Sequence, residues 1–302
     1  MGDLSKPAAI LVERLRIRTG DRVVILGDDK TEQVAEALYK ASLERTSHTL
    51  LVKTTVADEN VFWLASQCDV IIVGIPHDYR LLGYMPRKDA RAVDLEGMSE
   101  DAFARAVDVD YEEISKLGVK LSKLFRTTAR LKIETEAGTQ IWSGVGRVML
   151  DCGHFSLENG FENLPTGEVY LTPKDVSGVF VVDEGCGECD NGAKLVIRKS
   201  RVQEVIGDKG FFDRISRIKN GRVVCEFGFG LNQNAMVSQN NITESEKMLG
   251  SVHTAVGGNR HFFPPWTRWG FIDSTIHVDL MGLNATVWAD GTKILEGGEY
   301  LI

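Results

Sequence analysis

Three short runs near the start of the chain are apolar at almost every position: RVVILG (22–27), HTLLVKT (48–54) and DVIIVGI (69–75). Unbroken runs of this length mark strands buried on both faces, as in a parallel sheet covered by helices. Helical patterns surround them, over 8–18, in TEQVAEALYKASLER (31–45) and in NVFWLAS (60–66). A longer segment, DYEEISKLGVKLSKLFRTTA (110–129), carries Ile114, Leu117, Leu121 and Leu124 at helical spacing. The alternation predicts an α/β N-terminal domain with a parallel-type sheet over residues 1–128.

Beyond residue 129 the period shortens. ARLKIETEAGTQIWSG predicts two strands around Ala137-Gly138, and EVYLTP, GVFVVD, AKLVIRKSRVQEV and GRVVCEFG follow with turn-rich stretches between them. NATVWADGTKILEGG predicts a hairpin turning at Asp290-Gly291. One helical segment, DKGFFDRISRIKN (208–220), interrupts the series. Residues 129–302 are therefore expected to form a second, β-rich (α+β) domain. No internal repeat or low-complexity segment is visible.

Composition narrows the function classes. The 302 residues are 43% apolar and 26% charged, as in a soluble globular protein with ample core. A net charge of -8 argues against a nucleic-acid or anionic-membrane partner. The N-terminus carries charges throughout and lacks a long apolar run, and Lys6 stands where a myristoylation signal wants Ser or Thr. Five cysteines do not make a disulfide scaffold in a chain this long. A cytoplasmic location is the expectation, which deprives the Asn-x-Thr matches at Asn241 and Asn284 of meaning.

Common nucleotide and catalytic signatures are missing. VVILGDDKTEQ has one Gly where a dinucleotide turn needs G-x-G-x-x-G, and no G-x-x-x-x-G-K-[ST], H-E-x-x-H or G-x-S-x-G occurs. Cys186-x-x-Cys189 invites a zinc reading with Cys152-x-His154 as its other half, but the spacing fits no usual zinc ribbon. The turn-rich surroundings favour a hairpin tip with two reduced thiols.

The chemistry concentrates in the second half. In IDSTIHVDLMG (272–282), His277 and Asp279 sit two apart in a strand-like run, so they leave one face roughly 6–7 Å apart at Cα. Glu168 opens a strand after Pro-Thr-Gly, Glu226 ends one before a Gly-rich loop, and His253 lies in a run of small residues. Singly, each has an ordinary structural explanation: an edge-strand carboxylate, a cap or surface group, a core histidine. Together, two His and three carboxylates suit a divalent cation that prefers N and O ligands.

In order, LPTGEVYLTP, EFGFGLN, E-x-x-x-G-x-x-H-T-A-V-G (246–257) and S-T-I-H-V-D-L (274–280) resemble the aminopeptidase T family of metallopeptidases, as does the closing ADGTKILEGGEYLI. The likeness covers about residues 160–302 with motifs; over the α/β half it rests on architecture. It implies a metal site in the β-rich domain, with the family's acids falling on Glu168 and Glu226, its first metal His on His253 and its H-x-D pair on His277 and Asp279. Two departures stand out. Arg260, followed by His261, occupies the position of a Tyr near the family's metals, and the chain is shorter than typical aminopeptidases of the family. The related iron-dependent 2,5-dihydroxypyridine 5,6-dioxygenases are closer in length. They use two His and one carboxylate on Fe(II), a set that His253, His277 and Asp279 could supply.

The expected function is metal-dependent hydrolysis of an amide or peptide-like bond in a small molecule or short peptide. Zn, Mn or Co would serve, with Glu168 or Glu226 as general base. Arg260 offers a fork of donors for an acidic group on the substrate. His77 and His154 are further candidate substrate contacts. The alternatives are a ring-cleaving dioxygenase using Fe(II) and a non-catalytic scaffold or binding protein that keeps the fold. Family members are often dimers, which leaves a homodimer open.

Overall fold

In the computed structural model, residues 3–55, 57–76, 89–155, 162–239, 241–263, 267 and 270–302 are described. By contacts the chain divides into two compact units. The first comprises Met1–Val109, Gly153–Thr166 and Arg260–Gly270, the second Asp110–Cys152, Gly167–Asn259 and Phe271–Ile302.

The first unit is built on a parallel sheet. Helix α1 (Ser5–Arg14) leads to β1 (Val23–Gly27), α2 (Glu32–Leu43), β2 (Thr49–Lys53), α3 (Glu59–Ser66), β3 (Val70–Gly74), β4 (Arg91–Asp94) and α4 (Glu100–Ala106). The order across the sheet is β2-β1-β3-β4, and the two-residue strand Glu162–Asn163 pairs with β4 as a fifth parallel member. Alternate residues of the apolar runs enter different cores. Val23, Ile25 and Ile72 pack with α1, α2 and α4 residues such as Leu11, Leu38 and Phe103. Val24, Leu26, Ile71 and Val73 pack with Phe62 and Ala65 of α3. Both faces of β1 and β3 are thus covered, which is why those runs are apolar throughout. Asp58 and Ser99 cap α3 and α4 by accepting backbone N–H bonds from the first turn.

The second unit is a large antiparallel sheet. Helix α5 (Tyr111–Thr127), capped by Asp110, precedes β5 (Arg130–Glu134) and β6 (Gln140–Asp151). After the fifth parallel strand, β7 (Glu162–Asn163), come β8 (Glu168–Val181), β9 (Lys194–Arg198), β10 (Arg201–Ile206), α6 (Lys209–Ser216), β11 (Val224–Gly230), α7 (Ile242–Lys247) and β12 (Val252–Gly257). β13 (His277–Gly282), β14 (Thr286–Ala289), β15 (Thr292–Glu296) and β16 (Glu299–Tyr300) close the chain. Among the described residues this sheet has 11 strands in the order β13-β12-β11-β8-β6-β5-β14-β15-β16, with β9 on β8 and β10 on β9.

Two runs differ from the sequence expectation. EVYLTP and GVFVVD belong largely to one strand, β8, which continues past Asp175 at φ 51°. AKLVIRKSRVQEV is a hairpin, because Lys199 and Ser200 both take positive φ (48° and 56°) between β9 and β10. Helix α5 buries Ile114, Leu121 and Phe125, with Leu117 and Leu124 only half-buried. The buried stripe runs through Gly118 because an added Cβ there would lie 2.4 Å from Leu150 Cδ1. Phe125 packs on Phe229 of β11, ring centroids 4.7 Å apart. Phe229 and Leu150 point to one face of the sheet; the next residues along each strand point to the other, where the acids and histidines gather.

Candidate metal centre

Strand register brings the candidate residues onto one face. Glu168 of β8 lies opposite Gly230 of β11. Gly228 lies opposite His253 of β12, and Glu226 opposite Ala255. Ala255 in turn faces Asp279 of β13, and Gly257 faces His277. Directly paired residues of an antiparallel ladder share a face, so the five side chains point the same way from four adjacent strands. Gly228, Gly230, Ala255 and Gly257 among them leave the face open. The clearest case is Gly228, where a Cβ would lie 1.9 Å from Cε1 and 2.3 Å from Nε2 of the His253 ring.

The polar ends meet. His253 Nε2 lies 3.4 Å from Glu226 Oε1, 3.7 Å from Glu168 Oε2 and 3.9 Å from Asp279 Oδ1. His277 Nε2 lies 3.2 Å from Asp279 Oδ2 and 3.4 Å from Glu226 Oε2. His277 Nδ1 is 2.5 Å from the Gly258 carbonyl, to which it donates. That hydrogen bond places a proton on Nδ1 and turns Nε2 toward the carboxylates. His253 is fully buried, Glu168 and Glu226 nearly so, whereas the His277 and Asp279 side chains keep 22% and 12% exposure at the rim.

Two of these atoms are short of partners among the described residues. Glu168 Oε2 and Asp279 Oδ1 are buried without a hydrogen bond among the described residues, and both face His253 Nε2. Glu168, Glu226 and His253 offer ligand atoms within 4.8 Å of one another, and together form a group able to hold a metal ion. Carboxylates this crowded resist ionising together unless a cation lies among them. The donor set of imidazole nitrogen and carboxylate oxygen therefore fits a divalent ion.

The same crowding shifts the titrating groups. Burial lowers the His253 pKa, but its hydrogen bond to Glu226 and the charges of Glu246, Glu168 and Asp279 carry it up to about 9. His277 is likewise lowered by burial and raised further by Asp279 and Cys225, ending well above the usual range. Asp279 is raised by burial and lowered more strongly by His277 and His253.

Two neighbours are not among the site residues expected from the sequence: Glu246, which opens the motif over 246–257, and Lys247 beside it. Lys247, at the end of α7, is fully buried with Nζ 2.6 Å from Glu168 Oε1 and 3.1 Å from Glu246 Oε2. Burial and the Asp279 charge push the Glu246 carboxyl up to about 8 against the pull of Lys247 and His253. Both residues lie in ITESEK, whose polarity reads as a solvated surface.

The other expected contacts belong to the first unit or lie outside the described residues. Arg260 opens a 3₁₀ turn (Arg260–Phe262) in the first unit, its pKa lowered by burial. His154 is an exposed residue of the first unit, its backbone N–H donating to Glu162 Oε2 at 3.0 Å. Burial and the charges of Arg14 and Arg16 lower its imidazole pKa. His77 lies outside the described residues. Cys186 and Cys189 are free thiols between β8 and β9, with pKa values pushed up by burial to about 11 and about 12. No helix among the described residues is long and apolar enough to cross a membrane.

Two solved structures share this fold. The 2,5-dihydroxypyridine dioxygenase from Pseudomonas putida KT2440 matches with TM-score 0.79 at 14% identity, covering 99% of this chain and 96% of that one. AmpT (aminopeptidase T) from Thermus thermophilus matches with TM-score 0.71 at 15% identity, covering 99% of both chains. These are the two groups named from the sequence, aminopeptidase T by its motifs and the dioxygenase as its relative, and at such identities the likeness shows a shared fold. No protein-family model and no curated protein matches the chain.

Proposed function

We propose that the chain is a metal-dependent hydrolase of an amide or peptide-like bond in a small substrate. The observation that carries the reading is the convergence of Glu168, Glu226, His253, His277 and Asp279, with Glu168 Oε2 and Asp279 Oδ1 buried and lacking a hydrogen bond among the described residues. These five residues would hold the ion. A divalent cation there supplies Lewis acidity, which polarises a carbonyl and makes water more acidic.

The chain's own groups supply the rest. Gly258 holds the His277 ring with Nε2 turned inward. His277 and Asp279 mark the open side, from which a substrate would approach. A hydrolysis needs a base for the attacking water. Of the two candidate carboxylates, Glu168 carries the Lys247 ammonium on one oxygen, which makes it the weaker base. Glu226 is therefore assigned the proton. Arg260 is proposed to contact an acidic group of the substrate from its place in the motif the sequence resembles, with His77 and His154 as further substrate contacts. A homodimer is proposed on the family resemblance, and a cytoplasmic location on the charged N-terminus and the cysteine usage.

A second reading has its own observation. Asp279 lies 3.2 Å from His277 and 3.9 Å from His253, a two-imidazole, one-carboxylate set of the kind that holds Fe(II) in oxygenases. The fold shared with the dihydroxypyridine dioxygenase keeps ring cleavage as the alternative. Metal-stripped protein reloaded with Zn, Mn or Fe(II) separates the two on small peptides, amides and dihydroxypyridine-like rings. Hydrolysis predicts anaerobic turnover with Zn or Mn. Oxygen uptake seen only with Fe(II) would transfer the assignment to the dioxygenase.

A further inference from the structure

Lys247 has no part in the ligand set, yet it is a fully buried ammonium on one of its carboxylates. We infer that Lys247 is a built-in counter-cation that leaves Glu168 one oxygen for the metal and limits the centre to a single divalent ion. The inference rests on the reading above that the centre binds a cation.

The two oxygens of Glu168 are divided. Oε1 accepts from Lys247 Nζ at 2.6 Å. Oε2 has no hydrogen-bond partner among the described residues and lies 3.7 Å from His253 Nε2. Glu168 can therefore offer the centre one oxygen, because turning the other inward breaks a buried, charge-assisted hydrogen bond.

The ammonium is also bridged. Glu246 Oε2 accepts from the same Nζ at 3.1 Å, and the charge of Asp151, which pairs with Glu168 across β6 and β8, adds to its stabilisation. One cation shared by carboxylates from β8 and α7 is the arrangement that a second metal ion would otherwise take. Here the protein supplies that charge from its own chain, and its repulsion opposes a second divalent ion close by.

The lysine is fixed from behind. The Asn232 backbone N–H donates to the Lys247 carbonyl at 2.7 Å, and the Leu249 N–H donates to the Asn232 carbonyl at 2.9 Å. Asn232 follows directly on the loop leaving β11, so the strand that carries Glu226 also anchors the backbone of Lys247. This makes Lys247 a positioning residue.

The test is a count of ions by a route independent of turnover. Metal-stripped full-length protein is titrated with Mn(II) alone, followed by native mass spectrometry and electron paramagnetic resonance. The wild type should bind one Mn(II) per chain and show the spectrum of an isolated ion. Lys247→Gln should take up a second and show the signature of two coupled ions, whereas Lys247→Arg, which keeps the charge, should stay at one. Two tightly bound ions in the wild type would overturn the inference. A folded Lys247→Gln protein that stops at one would overturn it as well. If Lys247→Gln does not fold, the wild-type count and spectrum decide alone. A wild type that binds no Mn(II), Zn(II) or Fe(II) removes the metal reading itself, an outcome distinct from a count of two.

Discussion

Gly228 of β11 lies directly opposite His253 of β12, and the His253 ring occupies the space that a side chain at 228 would fill. The cluster is thus shaped by an absent Cβ as much as by the side chains it gathers. Gly228→Ala would place a methyl 1.9 Å from the ring and force it off its position. Overpacking of this kind costs about 1–3 kcal/mol of stability. The ring's displacement should also weaken metal binding by roughly 10–100-fold, as loss of a supporting interaction does. Calorimetric metal titration of the folded variant checks this, and unchanged affinity would mean that His253 is not a ligand.

The rim pair makes a different prediction. His277 and Asp279 are partly exposed, so truncating them leaves little cavity. His277→Ala and Asp279→Ala should keep the fold while losing more affinity than the roughly 10–100-fold typical of supporting residues. Circular dichroism with metal analysis reads both quantities. Retention of wild-type affinity in both variants would remove the pair from the ligand set.

The acid–base balance of the metal-free protein gives a pH prediction. His253 is raised in the folded state to about 9 from an ordinary value of about 6.5. Its contribution to stability is fully present below about pH 6.5 and is lost as pH rises through about 9. Glu246, raised to about 8, acts in the same direction, because the folded state again holds the proton more tightly. Metal-free protein should therefore lose up to a few kcal/mol between pH 6.5 and 9. A metal competes with the proton for the imidazole lone pair, so the rise in Tm on adding metal should grow over the same window. Thermal scans with and without metal test both slopes.

How much of this is legible in the sequence depends on the kind of signal. β1 and β3 are readable because strands covered on both faces need apolar residues throughout, and α5 because its apolar residues recur at helical spacing. The β14–β15 turn is readable because Asp290-Gly291 takes positive φ at both positions (48° and 84°). The β9–β10 turn is not, since Lys199 and Ser200 adopt the same conformation without its usual residues. His277 and Asp279 are legible as a pair, and the motifs point to the other three. Lys247 is not legible: ITESEK looks solvated, and its burial follows from partners on β8 that no local pattern reveals. The grouping of Gly153–Thr166 and Arg260–Gly270 with the first unit is equally silent, since the strand involved is only Glu162–Asn163.

That β14–β15 turn also allows a stability test away from the centre. Asp290 accepts hydrogen bonds from the Ala129 and Arg130 N–H groups at 3.0 and 2.8 Å, while holding its positive φ. Asp290→Ala loses the bonds and adds backbone strain, so it should cost about 1–3 kcal/mol. Asp290→Gly loses only the bonds and should cost less. Equal losses in denaturant melts would show that backbone strain contributes nothing there.

The central claim is that the five-residue cluster binds a divalent metal, and metal content tests it most directly. Wild-type protein and a His277→Ala/Asp279→Ala double variant are purified without chelator and analysed by inductively coupled plasma mass spectrometry. The account predicts close to one transition-metal or zinc ion per wild-type chain, and almost none in the folded double variant. A wild type free of metal and unable to take up Zn, Mn or Fe(II), or a double variant as metal-rich as the wild type, would contradict it.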